Sequence, residues 1–318
     1  MSLSVLDQLK EHTIVVADTG DFDSIKQFSP RDATTNPSLI LKASQQEEYG
    51  ALVRDVVHQA KLNGKTDVDQ VIDQLLVQFG LSILEVVPGR VSTEVDARLS
   101  FDYNGSLEKA RSIISLYEEK GISRERILIK LATTWEGVEV SRVLEQEGIH
   151  TNMTLLFSLP QAVACAIAGS QLISPFVGRI MDWHKKEYGR DFFGIEDPGV
   201  KSVIQIFNYY KKFGYQTEVM GASFRNTGEI KELVGCDLLT IGPKFLDEMQ
   251  NDFSTIEVKL NENLAMNSTV EKMDMDESTF RFKINEDAMA TEKLAEGIRK
   301  FSADMRSLEE LLKKLITS

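Results

Sequence analysis

Residues 126–135 read R-I-L-I-K-L-A-T-T-W, a short apolar run that one lysine, Lys130, interrupts. Such a run is typical of a strand that is buried on both faces of a sheet. An unpaired ammonium ion is costly to bury, so a lysine in this place needs a partner carboxylate or a neutral amine. A neutral amine can add to a ketone or aldehyde and lose water to give an iminium. A Schiff-base lysine is therefore one interpretation of the run. For a strand lysine taken alone, the commoner one is a rim lysine whose head reaches water or a structural salt bridge, and the residues elsewhere in the chain decide between the two.

Short apolar runs alternate with longer helical patterns on both sides of this stretch. The strand candidates lie near residues 14, 33, 93, 129, 153, 174, 219 and 239. Alternation of this kind over about 250 residues predicts an α/β fold, a parallel (β/α)8 TIM barrel. A doubly wound open sheet is the competing topology. Residues 18–21, D-T-G-D, are not the glycine-rich turn that usually follows the first strand of that fold, which favours the barrel.

Further helical patterns lie outside the alternating units. Residues 2–11 predict a short leading helix, and residues 287–316 predict a long amphipathic one. Residues 252–285 are polar and show no clear periodicity. We therefore expect one barrel domain over residues 1–318, with additional N-terminal and C-terminal helices and an extension at about 252–318 that packs on the barrel.

Composition and charge exclude several classes of partner. The chain has 318 residues, of which 42% are hydrophobic, and this is enough to bury a large core. Its formal net charge of −13 argues against sequence-independent binding of nucleic acid or of anionic membranes, since both need a cationic face.

Neither a metal nor an export signal is expected. Cys165 and Cys236 have no second cysteine or histidine at ligand spacing, and the four histidines show none either, so we expect no metal and no other cofactor. The N-terminal segment lacks a basic region followed by an apolar one. No apolar run approaches the roughly 20 residues that a membrane span requires. The expected location is the cytoplasm.

Polar residues stand at the ends of many predicted strands. Active sites of parallel barrels lie at the C-terminal ends of the strands. The residues at or near those ends are Asp18, Asn36, Glu94, Lys130, Asn152, Thr154, Ser174, Ser223 and Arg225. In addition, period-two alternation over residues 90–99 predicts a strand with Ser92, Glu94 and Asp96 on one face. Together these groups supply an amine, carboxylates that move protons, and amides or hydroxyls that hold a polyol.

Each of these residues has a plainer interpretation. Asp18 alone is equally typical of a helix cap or a turn. The alternative for Glu94 and Asp96 is a surface salt bridge to Arg90 or Arg98. Lone arginines such as Arg179 and Arg225 are usually solvated charges. Only the convergence of the set in a barrel favours a catalytic site.

Segments along nearly the whole chain resemble the transaldolase family. They are V-A-D-T-G-D at 16–21, D-A-T-T-N-P-S-L-I at 32–40, S-T-E-V-D-A-R-L-S at 92–100, I-L-I-K-L-A at 127–132, N-M-T-L-L-F-S at 152–158, I-S-P-F-V-G-R at 173–179, G-A-S-F-R-N at 221–226 and L-A-E-G-I-R-K-F at 294–301. Met153 stands where leucine is expected, which is a conservative departure. Residues 252–285 are the least recognisable part.

The resemblance implies an enzyme that moves a three-carbon dihydroxyacetone unit between sugar phosphates through a lysine Schiff base. Sedoheptulose 7-phosphate and glyceraldehyde 3-phosphate would exchange with erythrose 4-phosphate and fructose 6-phosphate in the non-oxidative pentose phosphate pathway. It also implies that sugar phosphates are the binding partners and that the chain forms a homodimer.

The resemblance further implies a role for each matching residue. Lys130 would form the iminium, and Asp18 would take the proton of the C4 hydroxyl as the C3–C4 bond breaks. Glu94 would act through a water, which Thr154 helps to hold, while the carbinolamine forms and dehydrates. The remaining matches are Asn36, Asn152 and Ser174 for the hydroxyls of the transferred unit, Phe176 for the pocket wall, and Arg179, Ser223 and Arg225 for the phosphate.

Two other functions stay open. One is a related aldolase that cleaves fructose 6-phosphate and releases the fragment, although such relatives are shorter and lack counterparts of Asp18 and Glu94. The other is a catalytically inactive barrel with a binding role, whose expected signature is loss of Lys130, Asp18 or Glu94. All three residues are present.

Overall fold

Eight parallel strands close into a barrel in the order in which they occur along the chain. The computed structural model describes residues 3–317, apart from the side chains at 22–24. The strands are β1 (Ile14–Asp18), β2 (Asp32–Thr34), β3 (Val91–Glu94), β4 (Ile127–Ala132), β5 (Thr151–Leu156), β6 (Leu172–Pro175), β7 (Glu218–Gly221) and β8 (Leu238–Ile241). Pairing of β1 with β8 completes the ring. The predicted (β/α)8 barrel is confirmed, and each strand candidate falls within a strand.

Helices surround the barrel and extend it at both ends. Those of residues 3–317 are α1 (Val5–Lys10), α2 (Phe22–Phe28), α3 (Pro37–Ser44), α4 (Gly50–Leu62), α5 (Val68–Leu84), α6 (Tyr103–Glu119), α7 (Trp135–Gln146), α8 (Leu159–Ala168), α9 (Gly178–Tyr188), α10 (Pro198–Lys212), α11 (Thr227–Lys231), α12 (Pro243–Gln250), α13 (Glu262–Met266), α14 (Glu277–Glu286) and α15 (Ala288–Thr317). The leading helix and the long C-terminal helix were both predicted. Within this part of the chain, no helix has the length and apolar character that a membrane span requires.

Two helices lie in the stretch that showed no periodicity. Helices α13 and α14 each bury a single residue, Ala265 and Phe280 respectively. Periodicity becomes visible in a sequence when several residues on one helix face are apolar. One buried residue per helix leaves no such pattern, which explains why these helices were not predicted.

The barrel interior is layered, with an apolar floor beneath polar groups. Val16, Leu128, Leu172, Met220 and Leu238 pack together inside the barrel as one buried cluster. Side chains on a strand alternate between the two faces, so the residues two positions further along also point inward. Among these inward residues are Asp18, Lys130, Ser174 and Thr240. The floor therefore closes the interior below the C-terminal ends of the strands.

Helix α15 crosses this C-terminal end and packs against α3, α5, α9 and β5. The close approach to β5 depends on Gly297, because a Cβ there would lie only 2.6 Å from Leu155 Cδ2. Leu155 itself has a positive φ of 51°, and it lies where the register of β5 against β6 shifts. The helix thereby places the Phe301 ring, which is buried, beside the barrel mouth.

Charged side chains close the opposite, N-terminal end of the barrel. Asp32, which begins β2, is only 3% exposed. Its Oδ2 lies 2.9 Å from both Arg31 Nη2 and Arg90 Nη2, and Arg90 Nη1 also pairs with Glu218 Oε2 at 2.7 Å. Burial by itself would raise the pKa of Asp32, but the bonds from Arg31 and Arg90 outweigh it and hold that pKa below its ordinary value.

Replacing Asp32 with alanine is expected to lower the free energy of unfolding by about 3–5 kcal/mol, because a buried ion pair that loses one partner leaves the other uncompensated. Urea denaturation measures the change. The pKa of Asp32 is lowered in the folded state, so its contribution is present at neutral pH and is lost as the pH falls through the folded value. Asp252, which is only partly buried and pairs with Lys231, is the control, and its alanine variant should lose less than about 1 kcal/mol. Equal losses in the two variants would contradict the prediction.

Candidate active site

Lys130 lies in β4 with its head inside the barrel, and the residue is 5% exposed. Its Nζ is 3.1 Å from Glu94 Oε2 and donates a hydrogen bond of 3.0 Å to the Thr35 carbonyl oxygen. Strand register explains the first contact, because Glu94 of β3 pairs directly with Lys130. Lys130 is buried at the cavity and paired with a carboxylate, so the alternative of a solvated rim lysine does not hold, whereas a salt bridge is present.

Two carboxyl groups accompany the lysine. Asp18 ends β1 and accepts a hydrogen bond of 3.0 Å from Thr34 Oγ1. Burial raises the pKa of Asp18, and the nearby Lys130 charge opposes that rise. The pKa of Glu94 is raised for the same reason and opposed by the same charge. Both groups are therefore easier to protonate than ordinary carboxylates, as a proton-transfer group near neutral pH must be.

Amide and hydroxyl groups lie along the neighbouring strands. Asn152 Nδ2 donates to Ser92 Oγ at 3.0 Å, and Ser174 Oγ donates to Asn152 Oδ1 at 2.6 Å. Thr154 Oγ1 is buried and has no hydrogen-bond partner among the described residues. Since buried hydroxyls are normally satisfied, Thr154 has capacity to bind a substrate group or a water.

Asn36 lies between β2 and α3. Its Oδ1 accepts a hydrogen bond of 3.0 Å from the Leu39 backbone and so caps α3, whose first residue is a proline. The cap fixes the orientation of the side-chain amide at the helix start. Asn36 thus lies just after a strand end, as predicted from the sequence.

Arg179 is held between two aromatic rings at one side of the barrel mouth. Its Cζ lies 4.8 Å from the centre of the Phe176 ring and 5.5 Å from that of Phe301. Burial lowers the pKa of Arg179, and the charge of Arg225 lowers it further. Two guanidinium groups that repel each other in this way form a site that an anion would stabilise.

Ser223 and Arg225 follow β7 in a loop that packs on the start of α9. Ser223 has a left-handed φ of 62°, and its carbonyl oxygen accepts a hydrogen bond from Gly178 N at 2.8 Å. Gly178 permits this approach, because a Cβ there would lie 2.5 Å from that oxygen. Arg225 is exposed, and its Nη2 pairs with Asp182 Oδ2 at 2.7 Å.

A cavity opens where these groups meet. Its walls are formed by Asp18, Thr34, Asn36, Lys130, Thr154, Ser174, Phe176, Arg179, Ala222, Ser223, Thr240 and Phe301. Of the predicted site residues, only Glu94, Asn152 and Arg225 do not line it. Glu94 contacts the lining residue Lys130 and Asn152 contacts Ser174, while Arg225 Nη1 is 3.4 Å from Ser223 Oγ. The structure thus brings the predicted residues together.

Several lining residues were not predicted. Thr34 and Thr240 share a buried hydrogen bond of 2.7 Å across β2 and β8. Phe301 comes from α15, far along the chain. Thr34 and Phe301 lie in segments that resemble the family. Thr34 and Thr240 also lie at or near the ends of predicted strands, and this position was the signal that could have identified both threonines.

The predicted strand over residues 90–99 is shorter than expected. β3 ends at Glu94, and Asp96 instead caps a 3-10 turn, Ala97–Leu99, by accepting a hydrogen bond from Arg98 N at 2.8 Å. Its Oδ2 also pairs with Arg98 Nη2 at 2.5 Å. The prediction that Asp96 shares a strand face with Glu94 is wrong, because the local cap competes with the strand. The salt-bridge alternative holds for Asp96 and not for Glu94.

The fold and the cavity define an enzyme of the (β/α)8 barrel class, and comparison with known proteins gives the family. The sequence profile described as "Transaldolase/Fructose-6-phosphate aldolase" matches residues 15–312. A Gloeobacter violaceus protein named "Transaldolase" is 58% identical over 318 residues, which cover 98% of this chain and 82% of that protein. The chain belongs to the transaldolase/fructose-6-phosphate aldolase family. The predicted family and the predicted class of enzyme are both confirmed.

A comparison with solved structures adds nothing to this assignment. A crystal structure from Silicibacter pomeroyi, described as a glycerophosphoryl diester phosphodiesterase, aligns with a TM-score of 0.34 at 14% identity. The alignment covers 57% of this chain and 58% of that one.

Proposed function

We propose that the chain transfers a dihydroxyacetone unit from sedoheptulose 7-phosphate to glyceraldehyde 3-phosphate, giving erythrose 4-phosphate and fructose 6-phosphate, through a Schiff base on Lys130. This is a step of the non-oxidative pentose phosphate pathway. The observation that carries the proposal is the buried Lys130 amine, 3.1 Å from Glu94, in a cavity that Asp18 also lines. The close relative named for this activity favours transfer over release of the fragment.

Formation of the iminium begins with loss of a proton from Lys130. Glu94 Oε2 is near enough to take it, and burial makes this carboxylate a better proton acceptor than an exposed one. The free amine adds to the C2 carbonyl of the ketose, and the resulting carbinolamine loses its hydroxyl as water when Glu94 returns a proton. The unpartnered Thr154 hydroxyl is suited to hold a water that relays these protons.

Cleavage of the C3–C4 bond requires a base at the C4 hydroxyl. Asp18 takes that proton, the C4 oxygen becomes the carbonyl of the departing aldose, and the bonding electrons flow into the iminium to give an enamine. The Thr34 hydroxyl, at 3.0 Å, orients the Asp18 carboxylate for this step. Addition of the acceptor aldehyde runs the same steps in reverse, with Asp18 returning the proton.

The site must also hold the enamine until the acceptor arrives. Asn36 and Ser174, which line the cavity, would bind the hydroxyls of the three-carbon unit together with Asn152, which contacts Ser174. The apolar floor would exclude water beneath it. Phosphate would bind at the mouth to Arg179, Ser223 and Arg225, since the guanidinium fork fits phosphate oxygens. Phe176 forms the wall against which Arg179 stacks.

The deciding assay follows release of glyceraldehyde 3-phosphate from fructose 6-phosphate through a coupled dehydrogenase, with and without erythrose 4-phosphate and with no metal added. Transfer predicts sustained release only when the acceptor is present. Sustained release without the acceptor would make this chain an aldolase. No release in either case would favour the catalytically inactive barrel with a binding role.

Replacing Arg225 with alanine is expected to raise KM for fructose 6-phosphate roughly tenfold, because a charge-assisted bond to the phosphate is lost. KM for dihydroxyacetone, which carries no phosphate, should change little. Arg281→Ala is the matched control, because Arg281 is a similarly exposed arginine that pairs with Glu136 and Glu277 instead of lying by the cavity. Equal losses for both donors in the Arg225 variant would argue against a phosphate site there.

We also propose that residues 1–318 form one domain with its extension at about 252–318, that the chain acts as a homodimer in the cytoplasm, and that it needs no metal or other cofactor. These statements stay predictions. Light scattering of the purified chain measures the oligomeric state.

A further inference from the structure

Two buried carboxyl groups meet beneath the loop that carries Ser223 and Arg225. Asp197, just before α10, and Glu229, in α11, are 1% and 2% exposed. Asp197 Oδ1 accepts hydrogen bonds from Gly199 N and Val200 N at the start of α10. Asp197 Oδ2 and Glu229 Oε1 are buried without a donor among the described residues. Asp197 and Glu229 each shift the pKa of the other, so the two carboxyl groups are neighbours.

Two buried carboxylates side by side would repel each other, so the arrangement of lower free energy keeps one proton on the pair. Burial raises the pKa of Glu229 to about 7, and the charge of Asp197 contributes to the rise while the bond from Arg225 N opposes it. Burial also raises the pKa of Asp197, while the hydrogen bond from Glu229 lowers it. The shared proton therefore belongs mainly to Glu229.

The charged groups around the pair do not remove this constraint. The charge of Arg225 lowers the pKa of Glu229, but the guanidinium itself pairs with Asp182 of α9 at 2.7 Å. His184, also on α9, acts on the Asp197 carboxyl and favours its charged form. With Asp197 charged, Glu229 is the group whose charge changes near neutral pH.

Glu229 is joined directly to the loop above it. Its Oε2 accepts a hydrogen bond of 2.7 Å from Arg225 N, and its own backbone N–H donates to Asn226 Oδ1 at 3.0 Å. These two bonds tie the loop and the first turn of α11 into one unit. A shift of the Glu229 carboxyl would therefore shift the backbone that carries Arg225.

We propose that Asp197 and Glu229 share one proton, and that this protonated pair holds residues 223–225 in the position that binds the substrate phosphate. Glu229 is then a positioning residue for the phosphate site, an assignment that rests on the proposed function and deepens it. Ionisation of Glu229 places a second negative charge beside the first, pushes the two carboxylates apart, and adds repulsion beneath a bound anion. Affinity for a phosphate-like anion should fall as the pH rises through neutrality.

The same proton affects stability, and the sign follows from the raised pKa. The folded state binds the proton more tightly than the unfolded state does, since the ordinary value for Glu229 is 4.5 and the folded value is about 7. Its contribution to stability is therefore fully present below pH 4.5 and is lost as the pH rises through about 7.

Calorimetric titration of the full chain with inorganic sulfate tests the proposal, because sulfate mimics phosphate and keeps its charge at both test conditions, about pH 6 and about pH 8.5. For the wild type, Kd should rise at least about fivefold between the two, the low end of typical coupling between sites. Glu229→Gln keeps an acceptor for Arg225 N and supplies a permanent donor to Asp197, so its Kd should match the wild-type value at low pH and stay flat. Glu229→Ala should bind about tenfold more weakly at both pH values.

Glu232→Gln is the control, because it removes one carboxylate from the C-terminal end of the same helix. This variant should keep the wild-type rise of the sulfate Kd between the two pH values, called here the pH step. Loss of the step in this variant, or its persistence in Glu229→Gln, would overturn the proposal. The readout does not depend on turnover. If the sulfate result is as expected but no three-carbon transfer is found, the proposed function fails while the role of the pair stands.

Discussion

Lys130→Ala is expected to lower kcat for transfer at least about 10⁴-fold and to abolish the covalent adduct that borohydride traps in the presence of fructose 6-phosphate. The reason is chemical, because no other amine is placed in the cavity lining to replace it: Arg179 is the only other basic residue among the described lining residues, and its guanidinium is a poor nucleophile. Mass spectrometry of the reduced protein measures the adduct.

The matched control is Lys109→Ala. Lys109 is also largely buried and paired, with Asp73 at 2.7 Å, but it lies between α5 and α6 outside the barrel. Its variant should keep full trapping. Retained trapping in Lys130→Ala would remove Lys130 from its proposed role, and a denaturation curve for each variant would show whether lost activity reflects lost folding.

The barrel could be predicted from sequence because its determinants are local. A strand buried on both faces is a continuous apolar run, and helices separate the runs, so the order of elements is visible without knowledge of contacts. The rule that sites lie at C-terminal strand ends then brought Asp18, Glu94 and Lys130 together, although they are far apart in the chain. The register between β3 and β4 supplied the contact itself.

Other features depend on contacts that leave no local pattern. Asp197 precedes α10 and Glu229 lies in α11, and either acid alone is typical of a helix cap or a surface charge. Phe301 reaches the cavity only because Gly297 allows α15 to approach Leu155. The end of β3, by contrast, was mispredicted because of a local contact. The Asp96 side chain caps a 3-10 turn and so ends the strand, although the period-two sequence pattern continues past it.

Asp18→Asn is expected to lower kcat for cleavage of fructose 6-phosphate about 10²- to 10⁴-fold, the usual range for removal of a general base. Asparagine is the same size but cannot take the proton of the C4 hydroxyl. Iminium formation relies on Lys130 and Glu94, so the variant should still give a borohydride-trapped adduct with dihydroxyacetone. The variant therefore separates bond cleavage from Schiff-base formation, which Lys130→Ala cannot do.

The pH dependence gives a second measurement of the same role. Asp18 must be ionised to act as a base, and burial raises its pKa above the ordinary 3.8, so wild-type kcat should fall as the pH is lowered through that raised value. In Asp18→Asn, this fall of kcat at low pH, the acid limb of the pH profile, should be absent. Asp21→Asn, three residues further on, is the control and should keep both kcat and the limb. If Asp18→Asn instead lost trapping with dihydroxyacetone while it remained folded, Asp18 would be needed for iminium formation and its assignment to C3–C4 cleavage would be wrong.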